Sequence, residues 1–273
     1  KDYSLNDNVG AAGVEAAFEE YLHGTNGVRI SNTNDSGKVT SELYTVEPEP
    51  GDTVELTIDL EFQEQVEALL AERVDRMTAE DGIARGAAAV VEQIGTGEIL
   101  AMASYPTYDL STFRQDYTEL SQDPSSPLLN RATMGLYSPG STFKMVSSTA
   151  ALMEHVIDLT TRIECPGIFT RFSDYQPRCW KRSGHGSLNV SEAITNSCNV
   201  FFYEVGYQLG LNGDKYDQDL GNEKLAKYAS MYGLNEKSGI EIEESEPQIS
   251  DALSVVSAIG QGTNNRHHKS VST

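Results

Sequence analysis

Ser141 stands three residues before Lys144 in the stretch "YSPGSTFKMVSSTAALM", residues 137–153. A serine hydroxyl is a weak nucleophile until a neighbouring base takes its proton, and a lysine serves as that base only when uncharged. Residues i and i+3 share a helix face, so Lys144 can reach back to Ser141 if a helix begins here. Pro139 and Gly140 punctuate such a start, and residues 145–155 are helical in character. Ser141 would then lie in the first turn, where unpaired backbone N–H groups and the helix dipole favour developing negative charge. Burial against Tyr137, Phe143 and Met145 would lower the Lys144 pKa by desolvation. The plainer reading makes Ser141 an N-cap and Lys144 a solvated first-turn residue. About one Ser-x-x-Lys match arises by chance in a chain of this size, so the pair alone does not choose.

The surrounding chain has 273 residues, 38% of them hydrophobic, and a formal net charge of −21. That length is ample for a buried core in one or two domains. The acidity excludes a nucleic-acid partner, which needs clustered Lys and Arg, and it resists docking on anionic lipid. No apolar run is long enough to span a bilayer. With no initiator Met and no signal-peptide pattern, the chain reads as a fragment, or as the soluble part of something anchored upstream.

Periodicity and punctuation place the elements. Residues 11–22 read as a helix. Residues 28–46 read as two strands with a polar turn at 34–37. Pro48, Pro50 and Gly51 mark a boundary. "TVELTIDL" (53–60) reads as a strand and residues 61–77 as an amphipathic helix. Residues 86–104 form a hairpin about Gly95-Thr96-Gly97, a turn rather than a phosphate loop because no helix follows it. Residues 105–127 are loop-rich, 191–210 and 223–234 helical, and 238–244 a short strand. A hairpin, a helical cluster and scattered strands make the fold α+β. Cys165, Cys179 and Cys198 lack zinc spacing; Cys165 and Cys179 are either reduced thiols or a pair formed in an oxidising compartment. Glu241, Glu243, Glu244 and Glu246 read as a solvated acidic loop, and Arg266-His267-His268-Lys269 as an exposed tail.

The wider context bears on the pair. "NRATMGLYSPGSTFK" (130–144) resembles the active-site region of the class B, monofunctional penicillin-binding proteins. "GVEAAFEEYLHGTNG", "LTIDLEFQEQVE", "TGEILAMASYPTYD", "GHGSLNVSEAITNSCNVFFYEVG" and "SAIGQG" follow in that family's order. The resemblance implies a penicillin-binding-protein/serine β-lactamase-like fold, a helical cluster packed on an antiparallel sheet. Residues 1–47 would end a pedestal or dimerisation domain, 48–265 would form a transpeptidase domain, and 266–273 are a tail foreign to the family.

The family's second motif is Ser-x-Asn, and three copies are present: Ser4-Leu5-Asn6, Ser187-Leu188-Asn189 and Ser197-Cys198-Asn199. Only the third lies between two helical stretches, as the family places it. The resemblance implies that Ser197 passes a proton between Lys144 and the leaving amine, while Asn199 holds the substrate amide and Lys144. Cys198, with no partnering His nearby, reads as a small buried residue. The third motif, Lys-Ser/Thr-Gly, is matched in letters by Lys237-Ser238-Gly239, which sits before "IGQG" and is therefore read as a decoy. The catalytic copy should follow "IGQG" by some tens of residues. From Arg266 the resemblance fails, and a one-base displacement would permit the family's Thr-x-x-Gln pattern. The chain as given is thus expected to lack the third motif and to be inactive, through a frameshift or through a truncated or misjoined sequence.

The implied parent enzyme is a serine D,D-transpeptidase of peptidoglycan, with Ser141, Lys144, Ser197 and Asn199 as its catalytic residues. Its partners would be stem peptides on lipid-linked precursor and nascent glycan, β-lactams, and a membrane glycosyltransferase. It would need no cofactor and no metal, and would work at the extracytoplasmic face of the bacterial membrane, held there by an N-terminal anchor. Two rival readings are a class D-like β-lactamase or β-lactam sensor, and a non-catalytic scaffold.

Overall fold

A computed structural model of the protein describes Tyr3 and residues 8–262. Ser4-Leu5-Asn6 and the tail 266–273 lie outside the described residues. The chain forms two compact units, one of residues 1–134 with 239–244, the other of residues 135–238 with 245–273. The described residues are α+β, with antiparallel sheets of two strands each.

In the first unit, residues 11–22 give two short helices rather than one. α1 (Gly13–Ala17) and α2 (Glu19–Leu22) break at Phe18. β1 (Val28–Thr33) pairs with β2 (Val39–Val46) across the expected turn, where Asn34 Oδ1 accepts from the backbone N–H of Ser36 and Lys38. Residues 53–59 do not form the expected strand. Thr57 and Asp59 make single bonds to Ile99 O and Leu100 O, and Asp59 then caps α3 (Leu60–Asp81) by accepting from Phe62 N. The cap starts a helix where a strand would have continued. α3 packs on the hairpin of β3 (Ala87–Glu92) and β4 (Ile99–Tyr105), where Ala101 and Ala103 are buried and small enough to let it approach. Gln63 fixes the register by donating to Met102 O and accepting from Met102 N. The stretch after β4 is less loop-like than expected: it holds α4 (Phe113–Gln122), with α5 (Arg131–Met134) after it.

In the second unit, a 3-10 turn (Gly140–Phe143) runs directly into α6 (Lys144–Met153). β5 (Ile163–Cys165) pairs with β6 (Gly186–Leu188), and α7 (Val190–Thr195) follows behind a capping box between Asn189 and Glu192. α8 (Asn199–Leu209) is apolar on nearly every face, which makes it the buried central helix. Its Phe201, Phe202, Val205 and Leu209 form the core with Val146, Ala150 and Ala151 of α6 and with Leu225. β7 (Leu211–Asn212) and β8 (Lys215–Tyr216) lead to α9 (Gln218–Met231), capped by Asp217. α10 (Ser254–Ser257) crosses α8 at Gly206, where an added Cβ would sit 2.4 Å from Ser254 O. Residues 238–244 are not a strand, since they join no ladder among the described residues.

Candidate active site

The turn before α6 sets the nucleophile outward and the amine inward. Gly140 takes φ 59°, and its N–H donates to Gly260 O at 2.8 Å. Ser141 is exposed, whereas Lys144, one turn later, is 2% exposed. The opposing wall is the break between α7 and α8. There Ser197 adopts φ 46°, a left-handed conformation that costs a non-glycine residue about 1–3 kcal/mol. Such strain persists where surrounding contacts over-determine it, and here they do.

Lys144 Nζ lies 2.7 Å from Asn199 Oδ1, 3.0 Å from both Ser197 Oγ and Ser197 O, and 3.1 Å from Ser141 Oγ. The Ser197 hydroxyl in turn donates to Ser141 Oγ at 3.0 Å. An ammonium can only donate to these oxygens, whereas a neutral amine donates two N–H groups and keeps a lone pair that can take the Ser141 proton. Burial lowers the Lys144 pKa and favours that neutral form, opposed by the neighbouring Cys198 and Cys179 thiols. The cover differs from the sequence expectation. Tyr137 and Met145 are exposed, and the Phe202 ring, 5.6 Å from Nζ, joins the 197–199 turn in enclosing the amine. Phe202 was missed because its relation to Lys144 runs through α8, although its position three residues after Asn199 puts it on the same helix face.

The other motif copies serve the scaffold. Asn189 caps α7, and Ser187 receives the Arg162 side chain on both Oγ and its carbonyl oxygen. Lys237 is paired with Glu246 at 3.0 Å.

The three cysteines, which lack zinc spacing in the sequence, converge in the fold with a histidine. The chain from Cys165 folds back on itself, with Cys179 N–H donating to Gly167 O, and His185 N–H returns to Cys165 O. The Cys165, Cys179 and Cys198 thiols and the His185 ring then have ligand atoms all within 4.8 Å of one another. His185 Nδ1 is 3.6 Å from Cys165 Sγ and 3.5 Å from Cys179 Sγ, and the cysteines are free rather than disulfide-bonded. Zn–S bonds of about 2.3 Å give a tetrahedron with edges of about 3.8 Å, close to this spacing. Burial first, and then the Lys181 charge, lower the His185 pKa and favour the neutral, metal-binding ring. Its Nε2 is buried without a hydrogen-bond partner among the described residues. These four residues could hold a zinc-like ion. Cys198, read as isolated from any His, belongs to this cluster.

Comparison with known proteins agrees with the geometry. A sequence model described as the penicillin binding protein transpeptidase domain matches residues 87–272, and one for the penicillin-binding protein dimerisation domain matches residues 1–56. The chain is 34% identical over 249 residues to the peptidoglycan D,D-transpeptidase MrdA of Escherichia coli, covering 89% of this chain and 36% of that protein. It is 32% identical over 263 residues to the stage V sporulation protein D of Bacillus subtilis, covering 94% of this chain and 37% of that one. It thus spans about a third of the length of these curated relatives. A chain in a solved peptidoglycan synthase complex that coordinates polymerization and crosslinking superposes with a TM-score of 0.77 at 34% identity, covering 95% of this chain and 47% of that chain. The order of a dimerisation segment and then a transpeptidase domain, matched over most of its length, places this chain in the class B penicillin-binding proteins.

Proposed function

We propose that this chain carries the acylation centre of a peptidoglycan D,D-transpeptidase. The observation that supports it most is the buried Lys144 amine held at once by Ser141, Ser197 and Asn199. In this reading neutral Lys144 takes the proton from Ser141 Oγ, which attacks the carbonyl between the two terminal D-alanines of a stem peptide. The Ser141 N–H, at the start of its turn, donates to the developing oxyanion. As the C–N bond breaks, the proton passes from Lys144 through the Ser197 hydroxyl to the leaving D-alanine nitrogen. An amine of a neighbouring stem peptide then attacks the Ser141 ester and returns the proton by the same route. Asn199 keeps the amine aligned. β-Lactams would acylate the same oxygen.

An ion at the cysteine–histidine cluster would hold the Cys198 backbone, and therefore the residues on either side of it, without entering any step. Residues 1–47 are assigned to the end of the pedestal and the residues from 48 onward to the transpeptidase domain, whose family match runs to residue 272. In this reading the cross-links form in the wall outside the cytoplasm, and the site faces that compartment, anchored to the membrane beside a glycan-polymerising partner. The synthase-complex relative supports that partnership. The match of a dimerisation segment disfavours a free-standing β-lactamase. The test is release of D-alanine from a stem pentapeptide by full-length protein carrying this sequence. Release coupled to an added amine and lost in Ser141→Ala supports the reading; amine-independent turnover of penicillin would replace it with a β-lactamase.

A further inference from the structure

Behind the Ser141 turn, away from Lys144, Ser197 and Asn199, lies a cavity of about 200 Å³. Pro139 and Phe143 of the turn form one wall, Leu225 and Ala229 of α9 the second, and residues 247–250 with Gly260 the third. The lining is mainly apolar, yet two of its residues, Asn222 and Gln248, keep buried side-chain carbonyl oxygens with no hydrogen-bond partner among the described residues. The Asn222 amide is not free to turn over: its Nδ2 donates to Ala252 O at 2.6 Å, which leaves Oδ1 as the unserved end. A buried acceptor without a donor costs about 1–3 kcal/mol, so a ligand that brings N–H groups relieves a standing penalty. A 150 Å³ apolar cavity takes up benzene. This one is larger by about the size of one planar polar substituent.

The cavity is also mechanically joined to the nucleophile. Gly260, which lines it, takes φ +69°, and an added Cβ there would lie 2.1 Å from Gly140 O. The Gly140 N–H donates back to Gly260 O. The backbone that ends the cavity and the backbone that presents Ser141 therefore touch with no side chain between them.

We propose that this cavity is a regulatory small-molecule site, that it takes a flat aromatic ligand bearing N–H donors, and that its occupation stiffens the Ser141 turn. Binding does not depend on the transpeptidase reading, and the test below uses no catalytic readout. Phenylurea is titrated into the protein and followed by backbone amide NMR, with ethylbenzene as the probe that lacks donors. Saturable shifts at the lining residues are expected, abolished by Ala226→Phe, which fills the cavity. Gln248→Leu, which removes one acceptor, should weaken phenylurea about fivefold and leave ethylbenzene unchanged. At ten times Kd, hydrogen exchange at the Gly140 amide should slow about tenfold, since opening must then compete with bound ligand. No saturable binding, or binding that both variants leave intact, would overturn the site. Binding with unaltered Gly140 exchange would overturn its coupling to Ser141.

Discussion

Ser197, Cys198 and Asn199 are consecutive, yet they serve two different clusters. Ser197 and Asn199 hold the Lys144 amine beside Ser141, while Cys198 turns away to join Cys165, Cys179 and His185. The first cluster is open at Ser141 and built for a proton to move; its hydroxyls and amine exchange hydrogen bonds of 2.7–3.1 Å. The second is closed, its three thiols fully buried, and has no access for substrate. One strained turn thus separates a reactive face from a fastening face. The comparison teaches that consecutive residues of one turn can divide between a reactive cluster and a buried one.

The largest effect should come from the reactive face. In full-length protein carrying this sequence, Lys144→Met keeps the side chain's volume, removes the base, and should slow penicillin acylation by about 10²–10⁴-fold, with a stability loss of about 1–3 kcal/mol from the acceptors it leaves unserved. A fall smaller than tenfold would mean that the base lies elsewhere. The fastening face should show itself in stability first. Protein prepared with zinc should hold one ion per chain, and Cys165→Ser or a strong chelator should lower the unfolding midpoint by about 10 °C or more. Metal-free protein with an unchanged midpoint would leave the cluster as four packed side chains.

A subtler test separates the two faces by pH. The Lys144 pKa is lowered by burial from its ordinary 10.5. Between its folded value and 10.5 the native state binds fewer protons than the unfolded one, so stability from this group rises with pH across that window. Acylation should rise along the same limb as the amine loses its proton, and level off before pH 10.5. A rate that keeps rising through 10.5 would show an unshifted lysine. The smallest effect is expected at the decoy. Lys237→Ala removes an exposed pair with Glu246, worth at most about 1 kcal/mol, and should leave acylation within about twofold. A loss like that of Lys144→Met would place the third motif there.

The sequence made the reactive face readable because its parts are local. A three-residue spacing on a helix, and a Ser-x-Asn flanked by helical runs, survive translation into space with little dependence on the rest of the fold. The helix 61–77, the hairpin about Gly95–Gly97 and the turn at 34–37 were legible for the same reason. The fastening face was not. Its four ligands are spread over 165–198 and are brought together by a folded-back loop and one hydrogen bond from His185 N–H to Cys165 O, which no periodicity records. The strand expected at 53–60 failed where Asp59, a capping residue, outweighed the β-rich letters before it. The strand expected at 238–244 failed because a strand needs a partner, and its own letters do not supply one.

The central claim is that Ser141, positioned by Lys144 and the 197–199 turn, is the group that becomes acylated. The direct measurement is intact-mass and peptide mapping of full-length protein carrying this sequence after brief exposure to benzylpenicillin. The account predicts one stable adduct, on the peptide containing Ser141, absent in Ser141→Ala. An adduct on another residue, or undiminished labelling of Ser141→Ala, would contradict it.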